Sequence, residues 1–182
     1  RVNWGSETST DDREGEVINS SIQRPNKKSI SEKIKLFKGE ILQKPPNYSA
    51  IKINGKRAYK LARSGKISKL EERKIKIHDF NLVKIIDRNE AEFFVKCQKG
   101  TYIRSLARDL GKELGVFGHI SFLKRESVGN FLKKKSISLD QIEKLSHYSA
   151  KQDIIKPILY PINKKDIVEV SKETSDNLAK GK

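Results

Sequence analysis

The strongest signals of secondary structure lie between Arg73 and Gly115, in the stretch RKIKIHDFNLVKIIDRNEAEFFVKCQKGTYIRSLARDLGKELG. Apolar residues alternate with polar ones on both sides of the turn Asp87–Asn89, which predicts two strands joined as an antiparallel hairpin. These apolar residues are Ile75, Ile77, Phe80 and Leu82 before the turn, and Ala91, Phe93, Val95 and Cys97 after it. The break in alternation between Ile77 and Phe80 predicts a β-bulge.

The period of the pattern changes directly after the hairpin and predicts a helix from Thr101 to Leu114. Thr101 is a suitable N-cap residue, and Gly115 is of the type that commonly ends a helix. Apolar side chains recur on one helical face at Ile103, Leu106, Leu110 and Leu114. The sequence therefore predicts an amphipathic helix.

Further helices and strands are predicted on both sides of this stretch. SISEKIKLFKG, residues 29–39, predicts a helix with a capping box of Ser29 and Glu32, and SLDQIEKL predicts another with Ser138 and Gln141. HISFLKRESVGNF, residues 119–131, predicts a strand, and residues 159–182 predict a strand followed by a helix. Strands and helices without a regular βαβ rhythm indicate an α+β fold.

The charge of the chain points to a polyanionic partner. Its net charge of +16, from 39 Lys and Arg against 23 Asp and Glu, creates a positive field that attracts nucleic acid first and acidic membranes second. A genome whose nucleotide bias favours lysine codons is the alternative explanation of the total charge. That bias does not explain Arg and Tyr at fixed spacings.

Several protein classes are excluded by what the sequence lacks. A single cysteine, Cys97, forms no internal disulfide and suits the reducing cytosol. The three histidines lie far apart without partners at ligand spacing, so we expect no metal site. No apolar run of about 18 residues predicts a membrane span, and no phosphate-binding glycine loop or nucleophile elbow occurs. The acidic run Asp11, Asp12, Glu14 and Glu16 lacks the pattern of a calcium loop.

The polar side of the predicted helix 101–114 carries Arg104, Arg108 and Lys112 at four-residue spacing, with Tyr102 in the first turn. In one interpretation Tyr102 stacks on an unpaired base, and Arg104 holds a carboxylate or phosphate. In the other, the helix has a solvated basic face and a tyrosine packed at its start. The spacing alone favours the second interpretation.

A basic strip with aromatic residues, QKPPNYSAIKINGKRAYKLARSGK, runs from Gln43 to Lys66, and no acidic residue lies between Gln43 and Leu70. Its tyrosines and cations are Tyr48, Tyr59, Lys44, Lys52, Lys56, Arg57, Lys60, Arg63 and Lys66. This composition favours the binding of single-stranded or looped nucleic acid over a plain solvated loop. Lys124 and Arg125 are weaker candidates for phosphate contacts.

Three segments together resemble the bacterial tRNA pseudouridine synthase B (TruB) family: the basic strip, CQKGTYIRSLARDLGKELG, and GHISFLKRESVG. The resemblance extends from about WGSETSTDDREGEV to ISLDQIEKL, residues 4–145. It implies part of the pseudouridine synthase fold, with a mixed, largely antiparallel sheet and flanking helices. It also implies a cytoplasmic isomerase that converts one uridine in the T loop of tRNA to pseudouridine, with no cofactor or metal.

The resemblance further implies roles for individual residues. The target base is flipped out of its loop; Tyr102 stacks on it, Arg104 pairs with a nucleophilic aspartate, and Leu123 lines the pocket. Residues 43–70 resemble the RNA-gripping thumb of the family. We therefore predict catalytic roles for Tyr102 and Arg104, and substrate contacts at Tyr48, Lys52, Lys56, Arg57, Tyr59, Arg63, Lys99, Arg108, Leu123, Lys124 and Arg125.

The sequence departs from the family in one important respect. The nucleophilic aspartate of the family lies in a G-x-L-D-P segment upstream of the G-x-x-T-x-T-D-D turn, and no residue here matches it. We therefore expect a fragment that is inactive alone, with residues 1–150 as a partial catalytic domain. Residues 151–182 are expected to be a linker and the truncated start of a small C-terminal RNA-binding domain. The alternative is a non-catalytic RNA-binding protein that reuses part of the fold.

Overall fold

The computed structural model describes residues 1–65, 70–144, 154–162 and 164–181. The chain forms two compact units, Arg1–Leu123 and Lys124–Lys182. Tyr102 and Arg104 lie in the first unit, together with the predicted hairpin and helix. The expected domain boundary near residue 150 stays a prediction.

Within the described residues the first unit has nine β-strands: β1 (Val2–Trp4), β2 (Ser6–Thr8), β3 (Val17–Ser20), β4 (Gly39–Gln43), β5 (Lys52–Ile53), β6 (Lys56–Arg57), β7 (Arg73–Ile85), β8 (Glu90–Cys97) and β9 (Gly118–Ile120). Five form one sheet in the order β4-β7-β8-β1-β9, and its strand pairings are antiparallel. A parallel bridge joins Asp12 to Ile120. The predicted α+β fold with a largely antiparallel sheet is confirmed.

The predicted hairpin consists of β7 and β8 and forms the centre of this sheet. Its register shifts between Ile77 and Asp79, where the broken alternation predicted a bulge, and again between Leu82 and Lys84. Successive residues of a regular strand point to opposite faces, so residues three apart, such as Ile77 and Phe80, would face opposite sides. With the bulge between them, both are buried. The bulge thus keeps the apolar side chains of β7 in the core.

Five α-helices are described: α1 (Lys27–Lys33), α2 (Ala58–Arg63), α3 (Ile103–Glu113), α4 (Leu139–Glu143) and α5 (Lys172–Ala179). The amphipathic helix predicted from the sequence is α3, and its Leu106 and Leu110 are almost fully buried. Gly115 has a φ of +68° just beyond its end, a conformation that suits glycine. No described helix has the length and apolar character that a membrane crossing requires.

The predicted starts of α1 and α3 were wrong. The N-cap of α1 is Asn26, whose side-chain oxygen accepts a hydrogen bond from the Ser29 N–H at 2.8 Å, so Ser29 lies inside the first turn. The N-cap position of α3 is Tyr102 and not Thr101, and the Tyr102 side chain makes no capping bond. A tertiary contact holds Tyr102 instead, which the local sequence could not show.

Aromatic rings connect the hairpin to its neighbours. Phe80 of β7 lies 6.2 Å from Phe37 at an interplanar angle of 80° and 5.5 Å from Phe93, measured between ring centroids. Trp4 of β1 contacts Phe93 edge-on at 6.0 Å. Such pairs contribute about 0.5–1.5 kcal/mol each beyond their buried area. The core therefore attaches β1 and the 3-10 turn Ile34–Phe37 to the central hairpin.

Residues 43–70, which we call the thumb, run from the last residue of β4 toward β7. The structure describes residues 43–65 and Leu70 of this segment. Strands β5 and β6 are joined through Asn54 and Gly55, with φ values of +48° and +79°, as in a type I′ turn. Helix α2 follows directly. Pro45 and Pro46 are buried, so the start of the thumb is part of the packed interior.

The second unit contains little regular structure in its described part. Strands β10 (Ser127–Val128) and β11 (Phe131–Leu132) form a short hairpin, and the Phe131 ring packs on Tyr160 at 5.1 Å. The capping box predicted for Ser138 and Gln141 is confirmed at the start of α4.

Two strand predictions fail. The strand predicted over residues 119–131 is interrupted, because β9 ends at Ile120 and pairing resumes only in the hairpin β10–β11. The strand predicted in the C-terminal segment is not formed in residues 159–162 or 164–170, where Lys164–Asp166 is a 3-10 turn, whereas the helix predicted there is α5.

Helix α3 packs against β9 through two glycines. A Cβ atom on Gly111 would lie 2.6 Å from the backbone nitrogen of Gly118 and 3.0 Å from the carbonyl carbon of Phe117. A Cβ atom on Gly118 would lie 3.1 Å from the Trp4 ring. Neither site has room for a methyl group unless main chain or a core ring moves.

We therefore predict that Gly111→Ala lowers the free energy of unfolding, although alanine has the higher helix propensity. The propensity gain is about 1 kcal/mol, and overpacking costs about 1–3 kcal/mol. Urea unfolding measures the balance. The control is Glu113→Ala, an exposed position on the same helix, which should change stability by less than about 0.5 kcal/mol. A Gly111→Ala protein as stable as the wild type would contradict the packing described.

Candidate active site

Tyr102 lies at the N-terminus of α3 with an extended backbone, φ −95° and ψ 107°. Its N–H donates to the side-chain oxygen of Gln43 at 2.8 Å, and its carbonyl accepts from the Gln43 amide nitrogen at 3.0 Å. Gln43 is the last residue of β4 and is 2% exposed. Tyr102 is neither fully buried nor fully exposed.

Arg104 is held by three acceptors. Its Nη1 donates to the carbonyl of Thr10 at 3.0 Å and to Asp12 Oδ2 at 3.1 Å. Its Nη2 donates to the carbonyl of Tyr48 in the thumb at 2.8 Å. The guanidinium therefore has a fixed orientation while about a quarter of the side chain stays accessible.

Asp12 is as well bonded as Arg104. Its Oδ1 accepts from the Thr10 hydroxyl at 2.6 Å and from the Glu14 N–H at 3.1 Å, while its Oδ2 accepts from Arg104. Three donors thus occupy both oxygens of the carboxylate. This geometry suits an anchor for Arg104.

Arg108, one helical turn further along α3, makes a more buried contact of the same kind. Its Nη1 donates to Asp11 Oδ2 at 2.8 Å, its Nε to Asp109 Oδ1 at 2.9 Å, and its Nη2 to the Lys44 carbonyl at 2.9 Å. The side chains of Arg108 and Asp11 are 12% and 8% exposed. Burial raises the pKa of Asp11 to about 6, although Arg108 acts in the opposite direction.

The third cation of this helix face completes a series. The Lys112 Nζ lies 3.3 Å from Oε1 of Glu7 in β2. The three cations of α3 therefore face three carboxylates from β2 and the following acidic turn, residues 9–16. The interpretation of this face as simply solvated is wrong for Arg104 and Arg108, because residues distant in sequence supply their partners.

A cleft of about 580 Å³ lies against the Arg108–Asp11 pair. Its lining also includes Lys44 and Pro45 from the start of the thumb, and the apolar side chains of Ile18 and Leu42. The pair thus forms part of the wall of this cleft.

The charged groups of the predicted thumb residues differ in whether they contact other groups of the protein. Lys52 and Lys56 are exposed. The Arg57 Nη1 donates to the Ala50 carbonyl at 2.5 Å, within the thumb itself. The Arg63 guanidinium lies 5.7 Å from the centre of the Tyr59 ring, which places a cation over one face of that ring.

No described hydrogen bond joins Tyr102 or Arg104 to Lys99, Leu123, Lys124 or Arg125. Lys99 is exposed in the loop between β8 and α3. Leu123, the last residue of the first unit, is 55% exposed. Lys124 and Arg125 belong to the second unit, where Lys124 pairs with Glu126 at 2.6 Å. Their substrate contacts stay predictions.

Sequence reasoning missed four residues of the site: Thr10, Asp11, Asp12 and Gln43. The acidic pair was noticed as a cluster and was matched neither to a calcium loop nor to the nucleophilic aspartate of the family, but its contact with α3 was not predicted. Gln43 gave no signal, because a glutamine at a strand end is ordinary. Among the described residues no group of three or more His, Cys, Asp or Glu side chains could hold a metal ion.

The chain matches two family profiles that divide it within α3. Residues 1–103 match the TruB family pseudouridylate synthase N-terminal domain. Residues 104–165 match the tRNA pseudouridylate synthase B C-terminal domain. Tyr102 ends up in the first match and Arg104 in the second.

The chain is similar to curated proteins named tRNA pseudouridine synthase B. The chain is 45% identical over 160 residues to the tRNA pseudouridine synthase B of Anaplasma marginale, and 39% identical over 181 residues to that of Caulobacter sp.. These alignments cover 87% and 100% of this chain, but 52% and 58% of the relatives. The chain spans about half the length of the curated relatives it matches.

Solved structures share the fold. A chain of a Cbf5–Nop10–Gar1 complex is similar with a TM-score of 0.54 and 28% identity, over 88% of this chain and 38% of that one. A chain of an H/ACA RNP bound to a substrate RNA containing 2′-deoxyuridine has a TM-score of 0.51 at 24% identity, over 88% of this chain and 37% of that chain.

The raised pKa of Asp11 predicts a pH-dependent stability. Its native pKa of about 6 lies above the ordinary value of 3.8, so between these values the native protein holds a proton that the unfolded chain has released. As the pH rises from about 3 to about 7, the wild type should lose up to about 3 kcal/mol of stability relative to Asp11→Asn. Above about pH 7 the difference should be constant. Urea unfolding of both proteins measures it, and a difference that does not change with pH would contradict the shift.

Proposed function

The chain belongs to the TruB family, and we propose that it is part of a tRNA pseudouridine synthase that isomerises the T-loop uridine at conventional position 55. The observation that carries this proposal is the arrangement of the family's K-G-T-Y-I-R motif. Its Tyr102 is partly exposed at the start of α3, and its Arg104 is fixed beside it by Asp12 and the thumb.

In the proposed reaction the target uridine is flipped out of its loop and its base stacks on Tyr102. The bond between the ribose C1′ and N1 of uracil breaks, and a bond from C1′ to C5 forms. C5 loses a proton and N1 gains one, so the product is an isomer and no oxidant or co-substrate enters the balance. The protein has to hold the free base while it turns.

Arg104 is proposed to orient the nucleophilic carboxylate. No residue of this sequence matches the family's nucleophilic aspartate, and Asp12 is a poor substitute because three donors occupy its oxygens. The Arg104 Nε–H and the second hydrogen of its Nη2 remain for a further acceptor, because both hydrogens of Nη1 are used. One guanidinium can therefore bind Asp12 and a second carboxylate together.

The thumb is proposed to grip the phosphates of the T stem-loop. Lys52, Lys56 and Lys60 are exposed and form no ion pair in the part of the chain that the structure describes. The Tyr59 ring with its overlying Arg63 adds a face for stacking. We propose that the protein binds tRNA through this cationic surface in the cytoplasm.

A non-catalytic RNA-binding protein is the second candidate. It would account for the thumb cations, since binding alone requires them. It gives no reason for a partly exposed arginine that three acceptors fix two residues after a partly exposed tyrosine. A protein of this kind would bind tRNA and leave the T-loop uridine unchanged.

We predict that the full-length protein converts the T-loop uridine of a tRNA transcript and that Tyr102→Ala loses most of this turnover. Because stacking is worth about 1–3 kcal/mol per base and matters once the base is out, tRNA affinity should stay within about tenfold. Chemical mapping of pseudouridine measures turnover, and filter binding measures affinity. Tyr102→Phe keeps the ring and should retain more activity. A wild type without turnover refutes the enzyme, and an active Tyr102→Ala refutes the stacking role.

We also predict that Lys52→Gln, Lys56→Gln and Lys60→Gln together weaken tRNA binding and flatten its dependence on salt. Each lost phosphate contact should lower the slope of log affinity against log salt by about 0.7–0.9. The matched control neutralises Lys74, Lys84 and Lys96, which are exposed on β7 and β8. Equal slopes for the thumb variant and the wild type would place the phosphate contacts elsewhere.

A further inference from the structure

The side chain of Gln43 contacts the main chain of Tyr102 on both sides. Its oxygen accepts from the Tyr102 N–H at 2.8 Å, and its nitrogen donates to the Tyr102 carbonyl at 3.0 Å. This is how a neighbouring strand would bind an extended residue. Gln43 ends β4, the edge strand of the described sheet, so its amide extends the pairing by one residue beyond that edge.

Tyr102 depends on this contact because its helix offers no substitute. The first N–H groups of a helix lack acceptors within the helix, and Tyr102 has no capping bond from its own side chain. The Tyr102 carbonyl also accepts from the Leu106 N–H at 3.1 Å, which belongs to the first turn of α3. The N–H of Tyr102 therefore depends on Gln43 more than its carbonyl does.

The residues that follow Gln43 are held by the same helix. The carbonyl of Lys44 accepts from Arg108 at 2.9 Å, and the carbonyl of Tyr48 accepts from Arg104 at 2.8 Å. Between them Pro45 and Pro46 are buried, and proline has a fixed φ. The start of the thumb is thus bonded to α3 at three points, and Gln43 provides the one that reaches Tyr102.

We propose that Gln43 is a positioning residue that holds the Tyr102 ring in register with the thumb. The inference rests on the function proposed above, in which the ring stacks on the flipped base. RNA gripped by the thumb then meets a ring whose main chain is bonded to the start of that same thumb. Gln43 is 2% exposed and its side chain is bonded to the Tyr102 main chain, so its proposed effect on the base is exerted through Tyr102.

The test is steady-state kinetics of full-length Gln43→Met, which keeps the volume of the side chain and removes both hydrogen bonds. A shift of about 1 Å in a positioning group can cost about 100-fold in rate. We expect kcat to fall about 10- to 100-fold, while KM and the affinity for tRNA change less than about threefold. A purely structural role would reduce the active fraction of the protein and follow the loss of stability.

Two further variants separate these possibilities. Gly111→Ala, which strains the contact of α3 with β9, serves as a control for lost stability and should keep its kcat per folded molecule. Gln43→Glu keeps an acceptor for the Tyr102 N–H at a helix N-terminus, where negative charge is favourable. Its kcat should lie between those of the wild type and Gln43→Met.

The outcomes are distinguishable. If the wild type forms no pseudouridine, the proposed function fails and not only this inference. If the wild type is active and both Gln43 variants keep its kcat within about twofold, Gln43 does not position Tyr102. The inference also fails if KM rises at constant kcat, or if Gly111→Ala loses as much kcat per folded molecule as Gln43→Met.

Discussion

The structure around the candidate site depends on the pairing of two arginine side chains of α3 with two adjacent carboxylates. Arg104 binds Asp12 and Arg108 binds Asp11, in contacts that exclude much of the solvent. A guanidinium taken out of water needs charged and hydrogen-bonding partners, and breaking a buried pair costs about 3–5 kcal/mol, a range that applies to the more buried pair of Arg108 and Asp11. The acidic turn therefore has to lie against α3, and the parallel bridge from Asp12 to Ile120 keeps it there.

The same arginines extend this constraint to the thumb. Each donates one further hydrogen bond to a thumb carbonyl, at Lys44 and at Tyr48. Main-chain carbonyls can serve because Pro45 and Pro46 stiffen the chain between them. The start of the thumb is therefore rigid and buried, while its exposed lysines lie beyond it. This division fits the function proposed above, in which exposed lysines contact RNA and the main chain of Tyr102 is held in place.

The chemistry proposed for this site requires little from the protein beyond positioning. Isomerisation needs a nucleophile, a partner that orients it, and a surface on which the free base can turn. We propose that Arg104 orients the nucleophile and that Tyr102 provides the surface for the base, and family membership is the basis for proposing the nucleophile itself. Because Arg104 is already fixed by Asp12, it need not lose side-chain freedom when the reaction begins, which is the advantage of a preorganised charge.

Secondary-structure elements with a local sequence pattern could be predicted from the sequence. Alternation gave the hairpin and its bulge, helical spacing gave α3, and the K-G-T-Y-I-R motif led to Tyr102 and Arg104. The tertiary structure decided what these residues contact. The acidic turn lies about 90 residues before α3 along the chain and Gln43 lies 59 residues before Tyr102, so no local pattern records either contact. Thr101 failed as a cap for the same reason: the main chain of Tyr102 was satisfied from a distant strand, since hydrogen-bonding groups require a partner but not a nearby one.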